Sequence, residues 1–447
     1  MRTLLLCSFI PLLCTCVSAQ TALSLSDAIQ QGLQNNYQIR IAANELEVAR
    51  NNDNYALTGK KPTISLGISP GIAYRNNSNP ASIVAKSSTF SYNIAPSASL
   101  NWTLFNGGRI EMNKERLATL ADLSAGQLQL QVENSIADII DAYYNAVVQQ
   151  EQIAVFQRVL DLSRDRIDYQ AVRREFGQGG TFDELQANDA YLSDSTSLVL
   201  QQLNYENAIR NLLQLMGEED FDQSITLTTK LELEEQIFDP EELDRKMLAT
   251  NSQLRTLRIN QELADINTRL IEAENKPTIA LSAGASYDYS LATGTQTFVF
   301  GDAPPDARDL PGIGATTLSG QLGLTASYLL FDGGARDVRA QTSKLQELTS
   351  RLNVDATEQQ LRTLLQNTLA RYNNQREIVA ITRRLIDNAE RNIEISEERF
   401  KGGTINSFDY RQIQLAYVNA EFQLLSSLLN LQNTETELLR LTGQIVN

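Results

Sequence analysis

The chain has 447 residues, 42% of them hydrophobic, and a formal net charge of −16. That charge excludes the basic surface by which proteins hold nucleic acid. The sequence has no His, and its three cysteines (Cys7, Cys14 and Cys16) all lie at the N-terminus, so the usual general base and the usual nitrogen and sulfur metal ligands are missing from the body of the chain.

The N-terminus reads as a secretory signal over residues 1–19. Arg2 supplies the positive region, Leu4 to Leu13 a short apolar core, and Val17-Ser18-Ala19 a small-residue cleavage site. The apolar stretch is shorter than the roughly 20 residues of a spanning helix. Cys16 lacks the small residue expected just before a lipidation junction, which argues against acylation. A helix is then expected from Ser26, as N-cap before Asp27, to about Leu57, stopping ahead of Gly59 and Pro62.

Two strands follow. Ile64, Leu66, Ile68, Pro70, Ile72 and Tyr74 alternate with Ser65, Gly67, Ser69, Gly71 and Ala73. A return run from Phe90 to Leu104 keeps its apolar residues on even positions, with Ser, Asn, Ala and Thr between them. Such period-2 runs, about 10–15 residues long, have one apolar and one small polar face, and suit a tilted membrane strand. Aromatic residues (Tyr74, Tyr92, Trp102, Tyr287, Tyr328) mark the ends of the apolar faces, as an interfacial girdle does.

Residues 109–175 contain no Pro and one Gly, which predicts a helix of roughly 100 Å. After a turn at Gly179-Gly180 comes a second long helix. An acidic stretch, 218–239, leads into a second copy of the same order. Lys61-Pro62-Thr63-Ile64 recurs as Lys276-Pro277-Thr278-Ile279, and Phe105-Asn106-Gly107-Gly108 as Phe331-Asp332-Gly333-Gly334. The offset grows from 215 to 226, and the insertion falls in the Pro/Gly-rich stretch around Pro304-Pro305 and Pro311-Gly312. Phe176 with Gly179-Gly180 is matched to Phe400 with Gly402-Gly403, which makes the first turn two residues shorter than the second. The chain is thus a tandem repeat, 20–217 and 240–447, each copy a helix, two strands and a long helical hairpin. In the last helix, positions 413, 417, 420, 424, 427, 431, 434, 438 and 441 form a 4–3 seam, repeated 226 residues earlier from Ala187 to Leu215.

The strand-to-helix junctions at Phe105, Gly107, Gly108 and Phe331, Gly333, Gly334 need backbone with positive φ, while Asn106 and Asp332 are placed to cap the helices that follow. Pro62 and Pro277 mark the reverse, helix-to-strand junctions. No catalytic residue, cofactor or metal site is expected, since the Gly-Gly pairs are not GxGxxG motifs and no helix–strand nucleotide motif is present.

In the order of these motifs, doubled over nearly the whole chain after the signal, the sequence resembles the TolC-like outer membrane efflux proteins. The resemblance implies an α+β membrane protein. Its tandem-repeat protomer would form a homotrimer with a 12-stranded β-barrel in outer membrane lipid and a periplasmic α-helical coiled-coil barrel. It also implies an exit duct for small molecules or secreted proteins, working with a periplasmic adaptor and an inner-membrane pump, with no nucleic-acid partner. Independently, four strands cannot close a barrel and an open edge cannot sit in lipid, so an oligomer is required. The hairpin tips at Gly179, Gly180, Thr181 and Gly402, Gly403, Thr404 would dock the adaptor. Asp183 and Asp409 would ring a periplasmic constriction, with Gln412 where a second acid stands in the family; Ile405 and Phe400 replace a basic residue and a Tyr of some members. The plain alternative at the tip is helix capping, with Thr181 and Glu184 forming a capping box. A non-channel coiled-coil stalk or adhesin is the alternative for the whole chain.

Overall fold

The structure is a computed structural model that describes residues 21–446 except 233–235 and 302. The expected signal segment, with Cys16, lies outside the described residues. The chain divides into two compact units, each drawing segments from both repeats.

One unit comprises Leu46–Ser124 and Leu257–Val354. Its centre is a four-stranded antiparallel sheet of β2 (Thr63–Ser78), β3 (Val84–Asn106), β5 (Thr278–Phe298) and β6 (Asp306–Ser327), in the order β2-β3-β5-β6. The register keeps the apolar positions opposite one another: Leu66 faces Ala98, Ile72 faces Tyr92, Trp102 faces Leu281, and Leu281 faces Leu324. Side chains alternate across a strand, so this register gathers one apolar face. The strands run to 16–23 residues, longer than expected, because the polar ends (Arg75–Ser78 against Lys86–Thr89, Gly294–Phe298 against Asp306–Leu310) pair without any alternation to announce them. The last strand stops at Ser327, short of Tyr328. Its partner β5 begins at Thr278, opposite Ser327, so β5 offers the backbone beyond no strand to pair with.

The other unit holds the remaining described residues. The first helix of each repeat begins in this unit, ends among the residues of the other, and is not continuous. α1 (Leu25–Asn35) is capped by Ser24, not Ser26, whose neighbour Asp27 completes a capping box; α2 (Tyr37–Asn52) follows after a break at Asn36. The second repeat does the same with α5 (Pro240–Thr250), capped by Asp239, and α6 (Ser252–Glu272) on either side of Asn251. Both asparagines are buried and do two jobs. Asn36 Oδ1 accepts the amides of Gln38 and Ile39 while its Nδ2 donates to Leu215 O at 2.7 Å. Asn251 Oδ1 accepts the amide of Leu254 while its Nδ2 donates to Leu441 O at 3.0 Å.

The acidic connector contains an element that composition does not show. β4 (Ile225–Leu227) pairs in parallel with β1 (Thr21–Leu23). The fully buried Tyr143 holds this pair: its hydroxyl donates to Leu23 O and accepts the amide of Thr229.

The long helices are α3 (Arg109–Glu175), α4 (Thr181–Met216), α7 (Ala335–Lys401) and α8 (Ser407–Leu441). None of the nine seam positions is exposed in either α4 or α8, so the 4–3 spacing does mark their packed faces. Between α3, α7 and α8 the seam builds a core of Val155, Val159, Ile386, Ile393, Tyr417 and Val418, closed by an edge-on contact of Phe156 with Phe422. Each such apolar side chain stabilises the packing by about 1.5–3 kcal/mol.

Candidate functional site

Three places carry functional geometry: the two faces of the sheet, the strand-to-helix corners and the hairpin tips.

The apolar face of the sheet is uncovered. Ile64, Leu66, Ile68, Ile72, Leu318, Leu322 and Leu324 are each 64–84% exposed, a contiguous apolar surface far larger than isolated surface residues make. The opposite face is small and polar. Ser65 Oγ meets Ser99 Oγ at 2.7 Å, and Ser97, Ser99, Gly284, Ser286, Ser319 and Gln321 line a shallow hollow. One face thus matches hydrocarbon and the other water.

At the corners, Gly107, Gly108, Gly333 and Gly334 have φ of 75°, 88°, 72° and 86°, a region that side chains with a Cβ avoid. Asn106 Oδ1 accepts the amide of Ile110 at 3.2 Å, and Asp332 Oδ2 that of Arg336 at 3.0 Å, so each residue before a glycine pair satisfies an orphan donor of the next helix. Phe105 and Phe331 are exposed, as are Pro62 and Pro277, each directly ahead of the strand that follows it. The single tryptophan, Trp102, lies on the apolar face and donates its indole N–H to Lys60 O at 2.9 Å. Lys60 Nζ sits 3.8 Å from the Tyr55 ring and pairs with Glu111 at 2.9 Å, which raises the lysine pKa; the Tyr55 hydroxyl, donating to Glu111 Oε2 at 2.7 Å, and after it Lys60 lower that of the carboxyl.

The tips differ from their expected form. α3 ends at Glu175 and α4 starts at Thr181; α7 ends at Lys401 and α8 starts at Ser407. Both turns therefore have five residues. The glycine in the left-handed conformation is Gly177 in the first turn and Gly403 in the second; each closes its helix with a pair of backbone bonds, Gly177 N to Arg174 O and Gln178 N to Arg173 O in one, Gly403 N to Phe400 O and Thr404 N to Arg399 O in the other. Gly179 and Gly180 do not take positive φ, and Gly402 does not either. Phe176 is exposed while Phe400 is buried between Tyr169 and Tyr410, so the two are not counterparts; the offset of 226 matches Gly177 to Gly403 instead.

Thr181 is the first residue of α4, not its cap; the cap is Gly180, whose amide donates to Asp183 Oδ2 at 3.4 Å. Glu184 pairs with Arg174 across the turn rather than closing a box with Thr181. Thr404 donates its hydroxyl to Arg399 O. Asn406 caps α8: its Oδ1 accepts the amide of Asp409 at 2.8 Å, and its Nδ2 donates to Asp409 Oδ2 at 2.9 Å. Asp183 is half-buried; Asp409 and Gln412 are exposed. The sequence reading missed the buried ion pair behind this tip, in which Arg411 holds both carboxylate oxygens of Asp194 at 2.7 and 2.6 Å. Its only sequence signal is a charged residue at a seam position.

A single sheet with an uncovered apolar face and a polar one, joined through glycine corners to two 67-residue helices, defines a membrane-channel protomer class. The family model described as outer membrane efflux protein matches residues 28–218 and 243–444, and the chain belongs to that family, one of outer membrane channels and not of enzymes. No curated protein matches it by sequence. Among solved structures it is similar to the Campylobacter jejuni CmeC outer membrane channel, with 14% identity and a TM-score of 0.76 over 94% of this chain and 85% of that one. It is also similar to the outer-membrane channel OprN, with 18% identity and a TM-score of 0.72 over 94% and 90%. The open state of the Neisseria gonorrhoeae MtrE outer membrane channel matches with 19% identity and a TM-score of 0.69 over 94% and 88%. The fold is therefore the one these channels share.

Proposed function

We propose that three copies of this chain form the exit duct of a tripartite efflux or type I secretion system, passing small molecules or proteins from the periplasm to the exterior. The observation that carries this reading is the sheet. Its order leaves β2 and β6 as open edges, and its exposed apolar face demands lipid. Open edges cannot persist in hydrocarbon, where no water satisfies the backbone, so other copies must close them. The number three, and with it twelve strands, comes from the family resemblance. Two apolar stripes not covered by the chain support the same assembly: Leu185, Leu192, Val199 and Leu203 on α4, and Ile378, Ile381, Leu385 and Ile395 on α7. Both repeat at near-heptad spacing and suit helix–helix seams with a second copy.

In this reading the polar face lines a wet barrel, the apolar face meets outer membrane lipid, and the glycine corners carry the chain from strand to periplasmic helix. The turns at Phe176–Gly180 and Gly402–Asn406 form the inner mouth, where a periplasmic adaptor and an inner-membrane pump dock, and the N-terminal segment directs export. Asp183 and Asp409 gather negative charge at that mouth.

The test is conductance of the detergent-extracted protein in planar bilayers, together with its mass. A mass near three protomers and ohmic channels are expected; a stalk or adhesin gives no channels, and a stable monomer removes the barrel. Lipid contact has its own measurement. Because Trp102 is the single tryptophan, bromolipids should quench the intrinsic fluorescence most strongly when brominated near the headgroup; absence of quenching would put the apolar face elsewhere.

A further inference from the structure

The two repeats are related by an offset of 215 before the strand loops and 226 after them, and the structure obeys both. The buried Asn36 and Asn251 stand 215 apart, and the carbonyls they bind, Leu215 O and Leu441 O, stand 226 apart. The two hairpins share one register: Thr63 faces Asn101 in the first and Thr278 faces Ser327 in the second, as the offsets require. Their return strands end differently. β3 runs on past Asn101 because β5 pairs with it there: Trp102 faces Leu281, Thr103 faces Ala280, Phe105 faces Ile279 and Asn106 faces Thr278. β6 stops at Ser327, the counterpart of Asn101. Residues 328–332, the counterparts of 102–106, belong to no strand, and Tyr328, Leu329, Leu330 and Phe331 are exposed.

Other contacts between the repeats leave the same gap. A Cβ on Gly107 would meet Ala273 and Lys276, and one on its counterpart Gly333 would meet nothing. Arg269 of α6 holds both oxygens of Glu115 of α3 at 2.6 and 3.1 Å, whereas the counterparts Asn54 and Gln341 are exposed. Thr119 of α3 and Leu263 of α6 are buried, whereas their counterparts Leu345 and Val48 are 64% and 60% exposed. The second half of repeat one thus packs on the first half of repeat two. The reciprocal surfaces, the second half of repeat two and the first half of repeat one, are left open.

Within one chain those surfaces cannot meet, since β2 and β6 are opposite edges of the sheet. Head-to-tail contact with another copy joins them and repeats until the ring closes. We propose that residues 328–332 are the unfinished end of β6, and that β2 of a second copy completes it in the register β3 and β5 take within the chain. Applying the offsets to that register sets Tyr328 opposite Leu66 of the second copy, Ala326 opposite its Ile68 and Leu324 opposite its Pro70. All six lie on the apolar face, so the lipid-facing surface runs unbroken across the joint. A slip of one residue would set each against the small polar face instead. The same offsets bring Gly333 against Thr58 and Lys61 of the second copy, and replace the Arg269–Glu115 ion pair by an amide pair, Gln341 with the second copy's Asn54. That copies of this chain meet at all rests on the proposed function; the register rests on the duplication and holds for any number of copies.

The test is disulfide scanning of the full-length protein. Beyond Cys16 the chain has no cysteine, so introduced thiols can be placed in pairs without background. Tyr328→Cys is combined in turn with Ile64→Cys, Leu66→Cys, Ile68→Cys and Pro70→Cys, all on one face of β2. Each two-residue step moves the partner roughly 7 Å along the strand, beyond the reach of a disulfide. Oxidation in the membrane fraction should link copies severalfold more with Leu66→Cys than with Ile64→Cys or Ile68→Cys, and not at all with Pro70→Cys. A maximum at any other position overturns the register and leaves the ring. No coupling at any position, in protein whose mass is a multiple of the protomer, overturns the pairing of β6 with β2 and leaves the oligomer. A monomeric mass without coupling removes both the register and the proposed duct. Should cysteines in the sheet block assembly, Asn54→Cys with Gln341→Cys and a flexible bis-maleimide tests the same equivalence outside the strands. Linkage between copies there supports it, and assembled protein without linkage overturns it.

Discussion

The two strand-to-helix corners have the same motif and nearly the same backbone angles, yet different surroundings. A Cβ on Gly107 would lie 2.7 Å from Ala273 O and 2.8 Å from Lys276 Cβ; at Gly333 and Gly334 there is nothing within 4 Å. The first corner follows β3, an inner strand beside β5, and packs against the residues that lead into β5. The second follows β6, an edge strand with no neighbour of its own on the outer side. The local requirement for positive φ is therefore common to both, whereas the steric requirement is met within the chain at one corner and left open at the other. In the proposed assembly, another copy fills the open side.

The largest effect is expected at Gly107. Gly107→Val adds a strained φ to an overlap with a backbone oxygen, together about 2–6 kcal/mol, enough to abolish assembled protein in the outer membrane fraction. Gly334→Val meets only the φ strain, about 1–3 kcal/mol, and should lower assembly partially. If the two variants fail equally in a heat-modifiability assay, the second corner is as crowded as the first, and the crowding comes from another copy. If both assemble normally, the positive-φ corner is not a structural requirement.

A pH effect comes next and belongs to the helices alone. Burial, followed by Asp138 and Glu437, pushes the carboxyl of Asp141 up to about 6, and burial also raises Asp138 and Glu435. A carboxyl whose folded pKa is raised binds its proton more tightly in the folded state, so stability falls as pH rises from about 4 to 6 and then levels off. Asp141→Asn should therefore melt above the parent at pH 8, and the gap should close as pH falls through 6 towards 4. A gap independent of pH would mean that Asp141 is not the titrating group.

The smallest stability effect is expected at the tip, where the two copies also differ. Asp409 accepts from the Asn406 side chain, whereas Asp183 accepts only a long bond from the Gly180 amide. Asp409→Asn keeps the Asn406 cap on the backbone and should cost about 0.5–1 kcal/mol through the lost first-turn charge. If Asp409 also belongs to a constriction, cation selectivity in bilayers should weaken while assembly holds. Unchanged selectivity with a lower melting temperature would leave Asp409 a capping residue.

Local patterns were legible because their causes are local. Alternation from Ile64 to Tyr74 and from Phe90 to Leu104 follows from the two faces of a strand, and Pro-free runs between glycine corners follow from backbone conformational freedom; together they yield the sheet and the 67-residue helices. The 4–3 seam was legible for the same reason, since 3.6 residues per turn brings those positions to one side. Features set by distant partners were not. The breaks at Asn36 and Asn251 exist because each side chain reaches a carbonyl at the end of a helix, Leu215 and Leu441, far along the chain. β4 is a strand only because β1 lies beside it, and the tight-turn glycine at the first tip is Gly177 because helix length, not the more conspicuous Gly179-Gly180 pair, decides where the turn begins. Asp194 is a charged residue at a seam position, and the Arg411 that holds both its oxygens is 217 residues away. Periodicity is written in neighbouring residues, so the sequence by itself determined the long elements and their faces; which distant polar groups meet, and with them the helix breaks and β4, only the tertiary structure decided.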